Sequence, residues 1–132
     1  IDIGDPMMRK RYSGRKAYAN AKLACVMDTR ALALLLRDRS VTVNALHPGL
    51  ARSGMFREYP RALLLVLNLL LEDGGKGGER ITRLAESKEM KNISGKYIYK
   101  TETREIEVSS QDAAASAELF SLAEKLTGVS AE

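Results

Sequence analysis

The chain has 132 residues, of which 45% are hydrophobic, 29% are charged and 5% are aromatic, with a net charge of +4 and one cysteine. This length supports one small domain with a modest core. The mild positive charge and scarce aromatics argue against a nucleic-acid partner, because nucleic-acid readers combine a basic stripe with interleaved aromatics. The lone Cys25 excludes an internal disulfide and is typical of a reducing, cytoplasmic compartment.

The first part of the chain predicts a loop, a long helix and a strand. Residues 1–15 mix Gly, Pro and charges without periodicity, which is typical of a surface loop. Residues 16–37 predict a helix that is apolar around most of its circumference, and such a helix is normally buried between other elements. The sequence SVTVNALHPGL follows, and its β-branched start and Pro-Gly end predict a buried strand that runs into a turn.

The second part predicts three helices and one strand. YPRALLLVLNLLLEDGG predicts a helix that Gly74 and Gly75 end, so GGKGG is interpreted as a helix break and not as a phosphate-binding loop. GERITRLAES predicts a further helix, and SGKYIYK predicts a short strand. A terminal helix is then expected to be capped by Ser109 or Ser110 and closed by Gly128. Two strands are fewer than the about four to six of an ordinary sheet, so we expect an incomplete α/β fold.

The segment KAYANAK places Tyr18 and Lys22 four residues apart on the first helix. Side chains at this spacing share a helical face. In the similar pair Tyr12 and Lys16, the tyrosine falls in the predicted loop, where the spacing determines no geometry. A free phenol has a pKa of about 10, which a nearby ammonium lowers. A shift to neutral pH requires about 4 kcal/mol, more than one lysine readily supplies without a cofactor cation or a helix dipole. From these residues alone, a proton-transfer pair and two ordinary neighbours both remain open.

Tyr18-x-x-x-Lys22, the apolar helix and VTVNALHPG together resemble the short-chain dehydrogenase/reductase family, in particular its retinol-dehydrogenase-like branch. RALLLVLNLLL, GERITRLAES, SGKYIYK and AELFSLAEKLTG follow in family order, so the resemblance spans nearly the whole chain. It implies the C-terminal half of a doubly wound Rossmann-type parallel sheet, with residues 1–132 lacking the dinucleotide-binding N-terminal half. The family's catalytic serine, its asparagine and its glycine-rich loop are then expected before Ile1.

The resemblance also implies the chemistry of the helix pair. Tyr18 would be the general acid/base that exchanges a proton with an alcohol or carbonyl oxygen, while NADP or NAD carries the hydride. Lys22 would favour the phenolate and bind the hydroxyls of the nicotinamide ribose. Both residues would therefore be catalytic and would also contact the cofactor.

The turn after the strand would complete the cofactor site. The resemblance implies that backbone groups near Ala51 and the hydroxyl of Ser53 hold the carboxamide of the nicotinamide. Pro48 and Gly49 would let the backbone approach the cofactor closely. Ala21 stands where the family often has Ser or Thr, and Ser53 replaces the commoner Thr but keeps its hydroxyl.

The expected substrate is a small lipophilic alcohol or carbonyl compound. The leucine run Leu63–Leu71 either packs on the core or faces a lipophilic pocket or membrane surface, where Arg57 and Arg61 suit anionic lipid. His47 is interpreted as a packed or hydrogen-bonded structural residue and Cys25 as a small buried hydrophobe. The sequence has no metal-ligand spacing. The competing hypothesis is a catalytically inactive, truncated fragment that acts only by association with a partner or with itself, because an exposed sheet edge and apolar helix faces need cover.

Overall fold

A computed structural model describes most of the chain. The described residues are 1–50, 60–61, 63–65, 71–104 and 112–130. The elements are helix α1 (Gly14–Leu35), strand β1 (Ala45–His47), helix α2 (Gly74–Glu86), a 3-10 helix (Lys88–Met90), strands β2 (Tyr97–Tyr99) and β3 (Glu102–Arg104), and helix α3 (Ala113–Thr127).

The chain divides into two compact units. The first comprises Ile1–Ala45, Ile93–Tyr97 and Glu105–Glu132, and the second comprises Leu46–Asn92 and Ile98–Arg104. The helices α1 and α3 belong to the first unit. The helix α2, the 3-10 helix and β3 belong to the second.

The strands form one open sheet in the order β1-β2-β3. β1 and β2 run parallel, because their hydrogen bonds advance along both segments: Gly95 N donates to Val43 O at 2.7 Å and Ala45 N donates to Lys96 O at 3.0 Å. A two-residue link makes β2 and β3 antiparallel, since a parallel pair needs a long crossover. The predicted α/β class is confirmed as part of a Rossmann-type fold. β3 escaped prediction because its three residues are all polar and exposed.

In the first unit, α1 packs against α3 and buries Met27. The prediction that α1 is buried around most of its circumference is wrong for the described residues. Met27 is the one buried residue of this helix, and Leu34 and Leu35 near its end are 49% and 56% exposed. The physical reason is that α3 covers only part of the apolar surface that α1 presents.

The helix α3 has well-defined ends. Its N-cap is Asp112, whose carboxylate accepts hydrogen bonds from Ala114 N at 2.9 Å and Ala115 N at 3.3 Å. The predicted caps at 109–110 lie outside the described residues, and the prediction is corrected because an aspartate serves the same purpose later in the chain. Gly128, with φ of 71°, closes the helix as predicted.

In the second unit, the glycine-rich segment begins a helix instead of ending one. Leu71 and Glu72 are not helical, and α2 starts at Gly74. Asp73 is the N-cap, and its carboxylate accepts a hydrogen bond from Gly75 N at 2.7 Å. The interpretation of GGKGG as a helix break is therefore wrong. A capping aspartate satisfies backbone donors at the helix start, which offsets the weak helix propensity of the glycines.

Each unit has a small core in the part of the chain that the structure describes. Buried hydrophobic side chains are Met27 and Leu119 in the first unit and Leu71 and Ile98 in the second. Within the described ranges, no helix is both long and apolar enough to cross a membrane.

Candidate functional site

Tyr18 and Lys22 lie one turn apart on α1, and both side chains are exposed. The Lys22 ammonium nitrogen is 5.5 Å from the centroid of the Tyr18 ring, and the tyrosine is 58% exposed. Neither polar head group makes a hydrogen bond or ion pair with any described residue. The helix therefore brings the two predicted residues together and leaves the hydroxyl and the ammonium available to a ligand.

Solvent limits what this pair does by itself. Water around two exposed groups screens their interaction, and covering them lowers the effective dielectric constant from about 80 to about 20, which strengthens the attraction about fourfold. The Lys22 charge would therefore act on a Tyr18 phenolate much more strongly once another surface or a ligand excluded water.

A cavity of about 300 Å³ lies elsewhere in the first unit. Ile3, Leu23, Met27 and Leu119 are among the residues that line it, so its wall is mainly apolar. Neither member of the Tyr18–Lys22 pair lines this cavity. The pair thus faces solvent in the described part of the chain.

The Pro48-Gly49 turn follows β1 in the second unit. Gly49 has φ of 99°, a left-handed conformation that glycine adopts without strain. Its N–H donates to His47 Nδ1 at 3.1 Å, so the proton of the neutral imidazole is assigned to Nε2. The His47 ring lies 5.2 Å from the Tyr99 ring, centroid to centroid. These contacts agree with the interpretation of His47 as a structural residue.

Three residues distant in sequence hold the carbonyl groups of this turn. Lys100 N donates to His47 O at 2.8 Å, and Glu72 N donates to Leu50 O at 2.8 Å. The Arg80 guanidinium donates to the carbonyl oxygen of Pro48. We call Glu72, Arg80 and Lys100 the charged triad.

The side chains of the charged triad also bind one another. The Arg80 guanidinium donates to Glu72 Oε2, and Lys100 Nζ lies 2.6 Å from Glu72 Oε1. These hydrogen bonds, first from Arg80 and then from Lys100, lower the pKa of Glu72 from 4.5 to about 2. Sequence reasoning missed all three residues, because no local spacing links them. The one available signal was Gly49, which indicated a close approach without naming its partner.

The remaining predicted residues are less well placed. Ala51 and Ser53 lie outside the described residues. Cys25 is exposed, so its interpretation as a buried hydrophobe is wrong: it lies on the part of α1 that no described element covers. Within the described ranges, no three His, Cys, Asp or Glu side chains are grouped to hold a metal ion. The pair on α1 lies in the first unit, and the Pro48-Gly49 turn lies in the second.

No family model matches the chain. Curated relatives do. The chain is 29% identical over 135 residues to Retinol dehydrogenase 14 of Homo sapiens, covering 98% of this chain and 40% of that protein. It is 34% identical over 100 residues to human Retinol dehydrogenase 12, covering 74% and 32% respectively. Short-chain dehydrogenase TIC 32 A, chloroplastic, of Brassica napus is 33% identical over 101 residues, covering 73% and 31%.

These matches and the α/β fold show that the chain belongs to the short-chain dehydrogenase/reductase family. Within that family it falls in the retinol-dehydrogenase-like branch, as the sequence motifs predicted. The chain spans about 40% or less of the length of these three relatives.

Proposed function

We propose that this chain is the C-terminal part of an NAD(P)-dependent oxidoreductase that interconverts an alcohol and a carbonyl compound. One observation carries the proposal. Tyr18 and Lys22 share an exposed face of α1 with no described hydrogen-bond partner, in a chain whose relatives are named as dehydrogenases. The longer protein that the proposal requires is called the parent protein below.

In the proposed reaction, Tyr18 exchanges the proton. In reduction, its hydroxyl donates to the carbonyl oxygen of the substrate, and in oxidation its phenolate accepts the proton of the alcohol. NADP or NAD supplies or receives the hydride when bound. Lys22 favours the phenolate through its charge and offers its donors to hydroxyl groups of the cofactor ribose.

The described residues suit such a cofactor in two respects. Lys22 has three donors that no described residue occupies, which suits a ribose diol. The Pro48-Gly49 turn is held in one conformation by hydrogen bonds from Glu72, Arg80 and Lys100, which suits a backbone segment that a cofactor meets without further ordering. Ala51 and Ser53 complete the proposed carboxamide site.

The proposed substrate is small and lipophilic. The names of several relatives specify retinol, a lipophilic alcohol. In this chain, Leu63 and Leu65 are 42% and 70% exposed, which favours a lipophilic contact surface at these two residues, whereas Leu71 is buried in the core. We propose a cytoplasmic protein whose leucine-rich surface touches lipid or substrate.

The proposed domain assignment predicts the behaviour of residues 1–132 alone. Without the dinucleotide-binding half, the chain should bind NADPH more weakly than micromolar and should show no turnover. Isothermal titration calorimetry of NADPH into the purified chain measures this affinity directly. Micromolar binding would contradict the assignment.

The replacement Tyr18→Phe in the parent protein tests the catalytic role. Loss of the proton-transferring hydroxyl should lower kcat by about a thousandfold, within the range of general acid–base catalysis, while cofactor affinity stays near wild type. Tyr12→Phe is the matched control, because that tyrosine has the same spacing to a lysine but lies outside the helix. Retained turnover in the Tyr18 variant would refute the assignment.

A second candidate is an inactive fragment that acts only by association. It is favoured by large exposed apolar side chains, of which Leu34, Leu35 and Leu126 are 49%, 56% and 61% exposed. Sedimentation of the chain across a concentration series distinguishes the candidates. Self-association or capture of a partner, together with an inactive parent protein, would favour the fragment. A monomeric chain that melts cooperatively would argue against it.

A further inference from the structure

Four backbone groups of the Pro48-Gly49 turn and its two flanking residues make described hydrogen bonds. The carbonyls of His47, Pro48 and Leu50 each accept a hydrogen bond from a different member of the charged triad. In addition, Gly49 N donates a hydrogen bond to the His47 imidazole. A turn that only reversed the chain would leave these groups to water, so this one is fixed more firmly than connectivity requires.

The charged triad also fills the space beside the glycine. A Cβ built on Gly49 would lie 2.6 Å from Arg80 Nη1, 3.1 Å from Glu72 Oε2 and 3.3 Å from Lys100 Cε. All three members therefore surround the position that a side chain on residue 49 would occupy. Lys100 does so from φ of 60°, an uncommon conformation for a residue with a side chain.

The charges of the triad make its members depend on one another. Side-chain exposure is 17% for Arg80, 27% for Glu72 and 36% for Lys100, so the ionic contacts are partly shielded from water. One carboxylate stands between two cations. Without it, the two cations would repel each other beside the turn, and the Arg80 bond to the Pro48 carbonyl would lose its support.

We propose that Glu72, Arg80 and Lys100 are positioning residues that fix the Pro48-Gly49 turn so that its backbone meets the nicotinamide end of the cofactor. This inference rests on the proposed function. The consequence is specific. The triad affects the affinity of the protein for the nicotinamide ring and leaves the affinity for the rest of the dinucleotide unchanged.

The test compares two ligands in the parent protein. One is the nicotinamide cofactor, and the other is the matching ADP-ribose, with a 2′-phosphate if the protein prefers NADP, which lacks only the nicotinamide. Glu72→Gln should weaken cofactor binding about tenfold, the effect of losing one or two hydrogen bonds, and should leave ADP-ribose binding unchanged. Arg80→Lys should do the same, because lysine keeps the charge but its shorter side chain does not bring its nitrogen to the position from which Arg80 Nη1 binds both the Pro48 carbonyl and the carboxylate.

Matched controls exist for both variants. Glu102→Gln alters a carboxylate that forms an exposed ion pair with Arg104 at 3.7 Å and takes no part in the turn. Arg83→Lys alters the next arginine on α2, whose side chain is exposed. Both controls should bind the two ligands as the wild type does. Equal losses for cofactor and ADP-ribose in the Glu72 and Arg80 variants, or no loss at all, would overturn the inference.

A second measurement separates failure of this inference from failure of the proposed function. If wild-type parent protein binds no dinucleotide, the proposed function fails. Amide hydrogen exchange at Gly49 then still tests the triad: exchange should be about tenfold faster in Glu72→Gln than in Glu102→Gln if the triad fixes the turn. Equal exchange rates would overturn the positioning role regardless of any activity.

Discussion

The two candidate regions are built in opposite ways. Tyr18 and Lys22 owe their proximity to one turn of one helix, and they meet no described partner beyond each other. The Pro48-Gly49 turn owes its form to Glu72, Arg80 and Lys100, which lie far along the chain and each donate to one carbonyl of the turn or its flanks. The helix pair leaves its polar atoms without described protein partners. The turn already has several of its backbone groups bound within the chain.

This contrast suggests a division of labour. Catalytic groups on a helix need freedom from protein hydrogen bonds, because they must exchange protons and donors with ligands. A turn that presents backbone to a ring needs the reverse, since a loosely held turn would have to be ordered on binding. Replacement of the helix pair should therefore affect turnover, and replacement of the turn should affect stability first.

The largest expected effect is on turnover, and its absence would break this comparison. Lys22→Met in the parent protein should lower kcat at neutral pH by about a hundredfold, because the phenolate of Tyr18 loses its cation. The melting temperature should stay near wild type, since the interaction described for the exposed Lys22 ammonium is with the Tyr18 ring on the same helix. Steady-state assays and thermal melts measure both. Lys16→Met is the control, and equal losses in the two variants would remove the special role of Lys22.

The next effect is on stability and concerns the turn. Gly49→Ala forces a side chain into a left-handed backbone beside Arg80 and should destabilise the protein by about 1–3 kcal/mol. Gly78→Ala is a control of opposite sign: nothing lies within 4 Å of its added carbon, and alanine in a helix should stabilise by about 0.5–1 kcal/mol. Chemical denaturation of both variants checks the pair. An unchanged free energy of unfolding in Gly49→Ala would mean that the triad side chains move away from the added carbon at little cost.

The smallest effect is the acid sensitivity of the turn. The folded-state pKa of Glu72 is lowered from 4.5 to about 2 by its hydrogen bonds to Arg80 and Lys100. Its ionised carboxylate therefore contributes full stability above about pH 4.5, and this contribution is lost as the pH falls towards 2. Melting of wild type and Glu72→Gln should differ most above pH 5 and converge at about pH 2. A difference that is constant with pH would show that the carboxylate charge is not what stabilises the turn.

The sequence predicted the local features and missed the distant ones. The spacing of Tyr18 and Lys22 determines a shared helical face, so helix periodicity was sufficient to find the pair.

β2 lies in the segment that the sequence predicted, and its central Ile98 is buried as the alternation indicates. β1 lies at Ala45–His47, within the predicted segment but after its β-branched residues. The prediction of a buried strand from the β-branched start was wrong, because the described hydrogen bonds to the β2 segment begin only at Val43, and Val41 is 54% exposed. The start of α2 was missed because the capping by Asp73 competed with five glycine-rich residues that usually interrupt a helix.

The charged triad could not have been predicted from this sequence by the same means. Glu72, Arg80 and Lys100 become neighbours only when α2 and the β2–β3 turn are in place. Taken singly, each is a charged residue of a type that is common on any protein surface. Long-range ion pairs leave no periodic signal, so only the folded chain reveals them.

A structure of the parent protein with cofactor and a substrate analogue bound tests the central claim most directly. The claim predicts that Tyr18 Oη lies within hydrogen-bond reach, about 2.6–3.2 Å, of the reacting oxygen, with Lys22 Nζ at the ribose hydroxyls. A phenol that still points into bulk water, or a dinucleotide bound away from α1, would contradict it.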